Sequence, residues 1–269
     1  MNNPENYLED NRKLWNERTK AHLVSDFYGN EAFKAGKNTL KPPELEILGD
    51  DLTGKSVLHL QCHFGQDSLS MARMGATVTG IDFSDKAIAA AKGLSEELNI
   101  PARFLCGNVY DTTQLIGDEQ FDFVFSTYGT ICWIPDLDPW AELVARHLKP
   151  GGSLILAEFH PTYYMFNFDN MELEYSYFNV APIVEEPEGS YANPEAKLAA
   201  KKEISWNHNI GEIMTALIKQ GLQIADFTEY PYCFYDCFPG LENQGEGKYM
   251  VKGKEGILPL MYRMVVKKA

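Results

Sequence analysis

The sequence predicts an α/β protein built on a doubly wound, mostly parallel sheet of seven strands. Three observations carry this. Short apolar runs alternate with helical patterns from residue 55 to residue 159. Residues 57–70 read VLHLQCHFGQDSLS, a strand that runs through a turn into a helix. A second strand, VTGIDFS at residues 78–84, ends on Asp82. Strands separated by helices at this spacing pair in parallel and are covered on both faces.

The elements follow in order. Residues 5–23 read as an amphipathic helix, with Leu8, Leu14, Trp15 and Leu23 near one face. Residues 27–40 read as a loop holding Gly29 and Gly36, ended by Pro42-Pro43. Residues 55–61 are the first strand, and residues 66–74 a helix closed by Gly75. Residues 77–82 are the second strand. Ser84 then caps a helix through Leu98, with Pro101 beyond it. Residues 103–106 and 121–126 are the next strands. A helix over 138–147 meets Pro150-Gly151-Gly152, which turns the chain into the fifth strand, 153–159. The pattern then breaks: residues 160–206 show no clean periodicity, and Tyr163, Tyr164, Phe166, Phe168, Tyr175, Tyr177 and Phe178 crowd together. A helix over 210–219, ended by Gly221, and strands over 222–230 and 260–267 complete the pattern. The expected division is one domain over 1–269: an N-terminal cap (1–50), a ligand-binding core (51–160), a lid-like insertion (161–206) and the rest of the core (207–269).

Asp82 lies about 20 residues past the first turn, where the acid of a nucleoside-binding βαβ unit accepts hydrogen bonds from both ribose hydroxyls. A dinucleotide also needs glycines in that turn, so that backbone can approach the pyrophosphate. Here Gln61 and His63 stand at glycine positions and only Gly65 remains. Two side chains crowd the path of a pyrophosphate, which favours a nucleoside ligand without phosphates, such as S-adenosylmethionine.

At these residues the chain resembles the class I S-adenosylmethionine-dependent methyltransferases. It is most similar to a bacterial subgroup with LHLQCHFGQD in place of (D/E)-x-G-x-G-x-G. The matching pieces are LHLQCHFGQDSLSMARMGATVTGIDFS, FLCGNVYD, FDFVFSTYGTICWIPDLDPW and LKPGGSLILAEFHP. The resemblance implies a Rossmann-like methyltransferase fold and S-adenosylmethionine as cofactor. It implies that backbone around Gln61 and Gly65 faces the methionine end, that Asp82 takes the ribose diol and that Phe83 packs on adenine. Asn108 stands where the family has Asp beside the adenine amino group, and the Val109 N–H meets a ring nitrogen. His63, Asp67 and Ser126 complete the expected cofactor shell, with an acid at the positive end of its helix as the alternative for Asp67. His59 replaces the family's acid inside the first strand and reads as a satisfied core residue.

Methyl transfer from a sulfonium is an in-line displacement, helped mainly by positioning and exclusion of water. A base serves only where the acceptor arrives protonated. The candidates are His160, directly after the fifth strand, and His208 in SWNHN, followed by Glu158 and His22. Tyr128 and Trp133, after the fourth strand, are placed either to cage the sulfonium or an amine by cation–π attraction or to serve as packing. The two aromatic segments outside the sheet pattern are expected to close over the strand ends as a lid. Trp15, Phe27, Tyr28, Tyr163 and Tyr164 are their candidate acceptor contacts. Packing on the sheet flank or a dimer interface is the alternative for both segments. A non-catalytic adenosylmethionine-binding protein and a nicotinamide-dependent oxidoreductase remain as other functional readings.

Composition narrows the partners. The net charge of −14 over 269 residues repels polyanions, which argues against nucleic acid and anionic membranes. A small-molecule acceptor is expected, with a monomer or homodimer as the working state. No apolar run is long enough to span a bilayer, and the opening MNNPENYLEDNRK has no apolar signal core. Five cysteines without a framework suit a reducing cytoplasm. Cys233 and Cys237 lack further ligands at close spacing, so no metal is expected.

Overall fold

The computed structural model describes residues 4–167, 170–200 and 202–269. Phe168 of the aromatic-rich stretch and residues 1–3 at the start lie outside the described residues. In chain order the elements are α1 (Tyr7–Leu23), α2 (Asn30–Lys34), α3 (Pro42–Leu48), β1 (Ser56–Leu60), α4 (Gln66–Arg73), β2 (Thr77–Asp82), α5 (Asp85–Leu98), β3 (Arg103–Cys106), α6 (Thr112–Ile116), β4 (Phe121–Thr127), α7 (Leu137–His147) and β5 (Leu148–Phe159). They continue with β6 (Ile183–Glu185), β7 (Glu203–Ser205), α8 (Ile210–Lys219), β8 (Gln223–Tyr230), β9 (Leu241–Asn243), β10 (Tyr249–Val251) and β11 (Met261–Lys267).

Seven strands form one sheet in the order β3-β2-β1-β4-β5-β11-β8. β1 pairs in parallel with β2 and β4, while β11 runs antiparallel to both β5 and β8. The order runs outward in opposite directions from β1 and β4. Their carboxyl ends therefore part and open a crevice, the usual ligand position of a doubly wound sheet. β1 is buried on both faces because it is central: Val57, Leu58 and Leu60 have no exposed surface, and His59 between them is buried as well. On one face α7 and α8 bury Trp140, Val144 and Leu217 against Leu58, Leu154 and Leu156. On the other face Leu48 and Met71 pack with Val57, Phe125 and Ile155. Truncating a side chain as large and buried as Trp140 to Ala would cost about 3–5 kcal/mol.

Several elements differ from the sequence expectation. The loop over 27–40 contains α2, whose Phe33 is buried in one cluster with Leu69, Ile88 and Phe104. Pro42-Pro43 opens a helix: proline suits its first turn, where no intrahelical N–H is needed, and the Lys41 N–H donates to the Glu44 carboxylate. α6 is a further short helix. β5 begins at Leu148 rather than 153, with the Pro-Gly-Gly bend inside it and a register shift against β4 between Phe121 and Phe123. Two small antiparallel ladders, β6–β7 and β9–β10, organise the irregular stretches.

The insertion is clasped to α1. Asn11 donates to Ile204 O at 2.7 Å and accepts from Ile204 N at 3.0 Å. Arg18 pairs with Glu203 in a mostly buried salt bridge. Asn16 accepts from Ser84 Oγ at 2.7 Å and donates to Asp85 at 2.7 Å, which docks α1 on the start of α5. Together these contacts lay α1 beside the open ends of the strands.

Candidate active site

The turn after β1 keeps the shape of a glycine-rich loop without its glycines. Gln61 and His63 have φ of 54° and 51°, and Gly65 has φ of 81°. The left-handed region costs a non-glycine residue about 1–2 kcal/mol. Two such residues in one turn mean that their side chains are wanted there. Gly65 has a packing reason as well: a Cβ would lie 2.8 Å from the Phe104 ring. The Cys62 N–H donates to Ile81 O at 3.0 Å and ties the turn to β2.

Asp82 closes β2 and is 6% exposed. Its two oxygens accept from the His63 N–H and the Ser84 N–H, each at 2.8 Å. Ser84 in turn caps α5 through Ala87 N at 3.0 Å. Each carboxylate oxygen retains a further lone pair. Burial pushes Asp82 up to about 6, although both N–H bonds pull the other way. The cleft beside it is walled by Phe83, Asn108 and Val109 from below and by Tyr7, Asn11 and Trp133 from above. Asn108 also accepts from the Tyr110 N–H at 3.2 Å. The clear interior is only about 30 Å³.

Polar atoms converge on the β1 turn without partners. Trp15 Nε1, His22 Nδ1, Gln61 Oε1, His63 Nε2 and Trp133 Nε1 are all buried and unsatisfied among the described residues. They belong to one cluster: the Trp15 ring lies 5.5 Å from His63 and 5.4 Å from Trp133, and His22 lies 5.1 Å from His63. Gln61 Nε2 donates to Thr130 O at 2.9 Å, which holds its free oxygen in place. A buried polar atom without a partner costs about 1–3 kcal/mol, so five in one place mark a ligand position. The donor set suits an amino acid end. Two indole N–H groups and an imidazole serve a carboxylate, and the Gln61 oxygen serves an ammonium. With Asp82 for a diol and Asn108 for an adenine edge, these residues fit S-adenosylmethionine.

On the other side of the turn the rings form a second group. Phe27 lies 5.1 Å from Tyr28 and 5.8 Å from Tyr235, and Tyr128 lies 4.8 Å from Tyr235. Tyr28 Oη and Tyr191 Oη are 2.6 Å apart. Asp67, in the first turn of α4, accepts from Thr39 Oγ1 at 2.5 Å, and burial raises its carboxyl. Ser126 is fully buried against Thr130 Oγ1 at 2.9 Å. Tyr163 packs on Phe238 and donates to Pro239 O at 2.8 Å, and Tyr164 lies edge-on to Phe238.

The four base candidates are all engaged. Glu158 accepts from Gly129 N at 2.8 Å, Thr130 Oγ1 at 2.7 Å, Phe159 N at 3.0 Å and Thr130 N, so it holds the turn after β4. His160 meets Thr162 Oγ1 and Glu229 Oε1, each at 2.8 Å. His208 meets Ile134 O at 2.6 Å and Asn179 Nδ2 at 3.1 Å. No partner of His160 or His208 lines the cleft. His22 meets Ser190 Oγ at 2.6 Å, and burial drives it strongly toward the neutral form. His59 is a satisfied core residue, 2.8 Å from Ser68 Oγ. Among the described residues no group of three or more His, Cys, Asp or Glu is arranged to hold a metal.

Tyr7, Asn11, Lys41, Glu44, Tyr191 and Tyr235 join these walls without having been expected. The K-P-P-E spacing, proline at the first turn followed by a capping glutamate, was a usable signal for Glu44. Tyr191 and Tyr235 sit in segments without periodicity and carried none.

Known proteins share the fold and a domain with this chain. Residues 57–152 match the family described as "Methyltransferase domain". A ubiquinone biosynthesis O-methyltransferase of Coxiella burnetii is 25% identical over 162 residues, covering 60% of this chain and 68% of that protein. An uncharacterized methyltransferase of Synechocystis is 35% identical over 116 residues, covering 42% of this chain and 51% of that protein. The crystal structure of an S-adenosylmethionine-dependent methyltransferase from Clostridium acetobutylicum shares the fold. It has a TM-score of 0.60 at 15% identity and covers 94% of this chain and 98% of that one. The domain match over residues 57–152 and the sheet order agree: the chain is an S-adenosylmethionine-dependent methyltransferase with the Rossmann-like methyltransferase fold.

Proposed function

We propose that this enzyme methylates a small, partly aromatic molecule. The nucleoside of the cofactor lies between the ends of β2 and β3, and its methionine end against the β1 turn. Bound S-adenosylmethionine supplies an electrophilic methyl group on a sulfonium. In this reading Asp82 accepts from the ribose diol, Phe83 and Val109 flank the adenine, and Asn108 accepts from its amino group. Gln61, His63, Trp15 and Trp133 orient the amino acid end and exclude water. Phe27, Tyr28 and Tyr128 wall the acceptor. Asp67 and Ser126 shape the floor. His160 and His208 serve the frame, joining the sheet edge and the insertion to the core, and Tyr163 and Tyr164 pack beneath the rim.

The observation that carries this reading is the convergence of unpartnered polar atoms on the β1 turn beside Asp82. The acidic balance of the chain favours a small acceptor over nucleic acid. A relative named for O-methylation in ubiquinone biosynthesis points the same way.

Calorimetry with S-adenosylhomocysteine tests the cofactor half. Asp82→Ala removes two hydrogen bonds to a charged acceptor, each worth about 1.5–3 kcal/mol, so affinity should fall at least a hundredfold. In the wild type the ionised carboxylate is the better acceptor. Affinity should therefore weaken as pH falls below about 6, where Asp82 takes up a proton. Unchanged affinity in a folded Asp82→Ala variant would sink the assignment.

A further inference from the structure

Glu44 is a buried carboxyl that the cofactor half of the site does not use. It is 0% exposed. One oxygen accepts from the Lys41 N–H and so caps α3. Capping accounts for that oxygen alone. The other accepts from the Tyr128 hydroxyl. Tyr128 follows β4 directly, and its φ of 54° puts a bulky residue in the left-handed region. Its backbone is fixed there by Tyr128 N donating to Ala157 O at 2.8 Å and by Glu158 gripping the next residues. A strained backbone thus aims this phenol at a buried acid. Tyr128, Tyr235, Tyr28 and Lys41 are half-buried whereas Glu44 is fully buried, so the phenol lies between the carboxyl and the surrounding rings.

The charges around the pair come from four segments. Lys41 precedes α3 and lies 4.8 Å over the Tyr235 ring. Asp67 comes from α4, Tyr128 from the end of β4, and Tyr235 from the segment after β8; the charges of Lys41 and Asp67 offset each other. Lys37 adds a further positive charge toward Lys41. On the next turn of α3, Arg263 of β11 is neutralised by Glu46 at 2.6 Å and Asp226 at 3.0 Å. A lysine beside a phenol and a buried acid stabilises a developing oxyanion and opposes an ammonium. Tyr28, Phe27, Tyr191 and Tyr235 offer flat walls.

Building on the methyltransferase reading, we infer that Tyr128 and Glu44 form a proton relay for an acceptor with a hydroxyl on a planar ring. The acceptor oxygen forms its bond to the methyl carbon while the carbon–sulfur bond breaks, and the sulfonium leaves as a neutral thioether. The acceptor proton passes to Tyr128 Oη, the phenolic proton passes to ionised Glu44, and Glu44 later releases it to solvent. Burial holds Glu44 up at about 8, so the relay switches on as pH approaches that value.

The test uses 4-nitrophenol on the full-length protein saturated with S-adenosylhomocysteine, followed by the absorbance of the phenolate. The complex holds one proton between phenol and Glu44. Phenolate affinity should therefore fall about tenfold per pH unit above pH 8, because ionised Glu44 must regain its proton. Glu44→Gln should remove that alkaline limb and leave a flat profile, since the amide still keeps the Lys41 N–H and donates to Tyr128 Oη. Tyr128→Phe should weaken binding about tenfold, the loss of one hydrogen bond. A flat wild-type profile, an unchanged limb in Glu44→Gln, or no binding of 4-nitrophenol overturns the relay. Calorimetry with S-adenosylhomocysteine runs beside it: retained affinity with a failed phenolate arm removes the relay alone, while lost affinity in the wild type removes the methyltransferase reading beneath it.

Discussion

Two carboxyls illustrate how far single residues can be read from a sequence. Asp82 was legible because strand, turn and spacing act together over a short stretch. Glu44 was not, because Pro42-Pro43 looked like the end of a loop and the Tyr128 partner lies 84 residues away. Its environment has a consequence for stability. Glu44 titrates at about 8 in the fold against an ordinary 4.5, so the folded state favours the protonated form. That stability is fully present below pH 4.5 and is lost as pH rises to about 8. Gln takes up no proton, so the folding stability of Glu44→Gln should gain on the wild type between those pH values, by on the order of 3–5 kcal/mol, and its melting temperature should then hold a constant lead. Parallel melting curves across that range would show that Glu44 does not resist ionisation. The positive φ of Gln61 and His63 was hidden for a different reason: sequence reads side chains, whereas here the backbone keeps the glycine shape under the wrong residues.

Among the elements, several were read within a residue or two: α5 with its Ser84 cap, α8 ahead of Gly221, and the strands β2 and β3. α2 and α6 have five residues each, and β6, β7, β9 and β10 have three, too few turns or alternations to register a period. Their positions follow from tertiary contacts, such as the Asn11 side chain pairing with the backbone of β7. That clasp also bears on access. The cleft beside Asp82 is narrow, with a clear interior of about 30 Å³ walled on one side by Tyr7 and Asn11 of α1, so an outward shift of α1 would widen the way in for a nucleoside. Hydrogen exchange should therefore show partial protection in α1 and residues 190–205 that rises when S-adenosylhomocysteine binds. Asn11→Ala removes two hydrogen bonds, each worth about 1 kcal/mol, and should speed exchange in both segments while leaving β1 and β4 unchanged. Protection changing only around Gln61, Asp82 and Asn108 would mean that the cap does not gate the cleft.

At the scale of the whole molecule the net charge of −14 sets the approach of ligands. The field of such a chain slows anions at low salt and is screened within about 8 Å at physiological ionic strength. Stopped-flow association of 4-nitrophenolate should accelerate as salt is raised from low to physiological, whereas S-adenosylhomocysteine, with balanced charges, should associate at a nearly constant rate. Equal salt responses for the two would place the acceptor entrance in a locally neutral or positive field. The division of labour along the chain has a further consequence, for inheritance. Asp82, Asn108 and the β1 turn all fall inside residues 57–152, whereas Tyr28, Lys41, Glu44, Tyr191 and Tyr235 fall outside. On the proposed assignments, a gene exchange that replaced the central segment with that of another methyltransferase would import a new grip on the nucleoside and leave most of the recipient's acceptor walls in place. Tyr128 would travel with the donated piece, as would Asp67 and Ser126 of the floor, so the compatibility of Tyr128 with the resident Glu44 decides whether such a chimaera works.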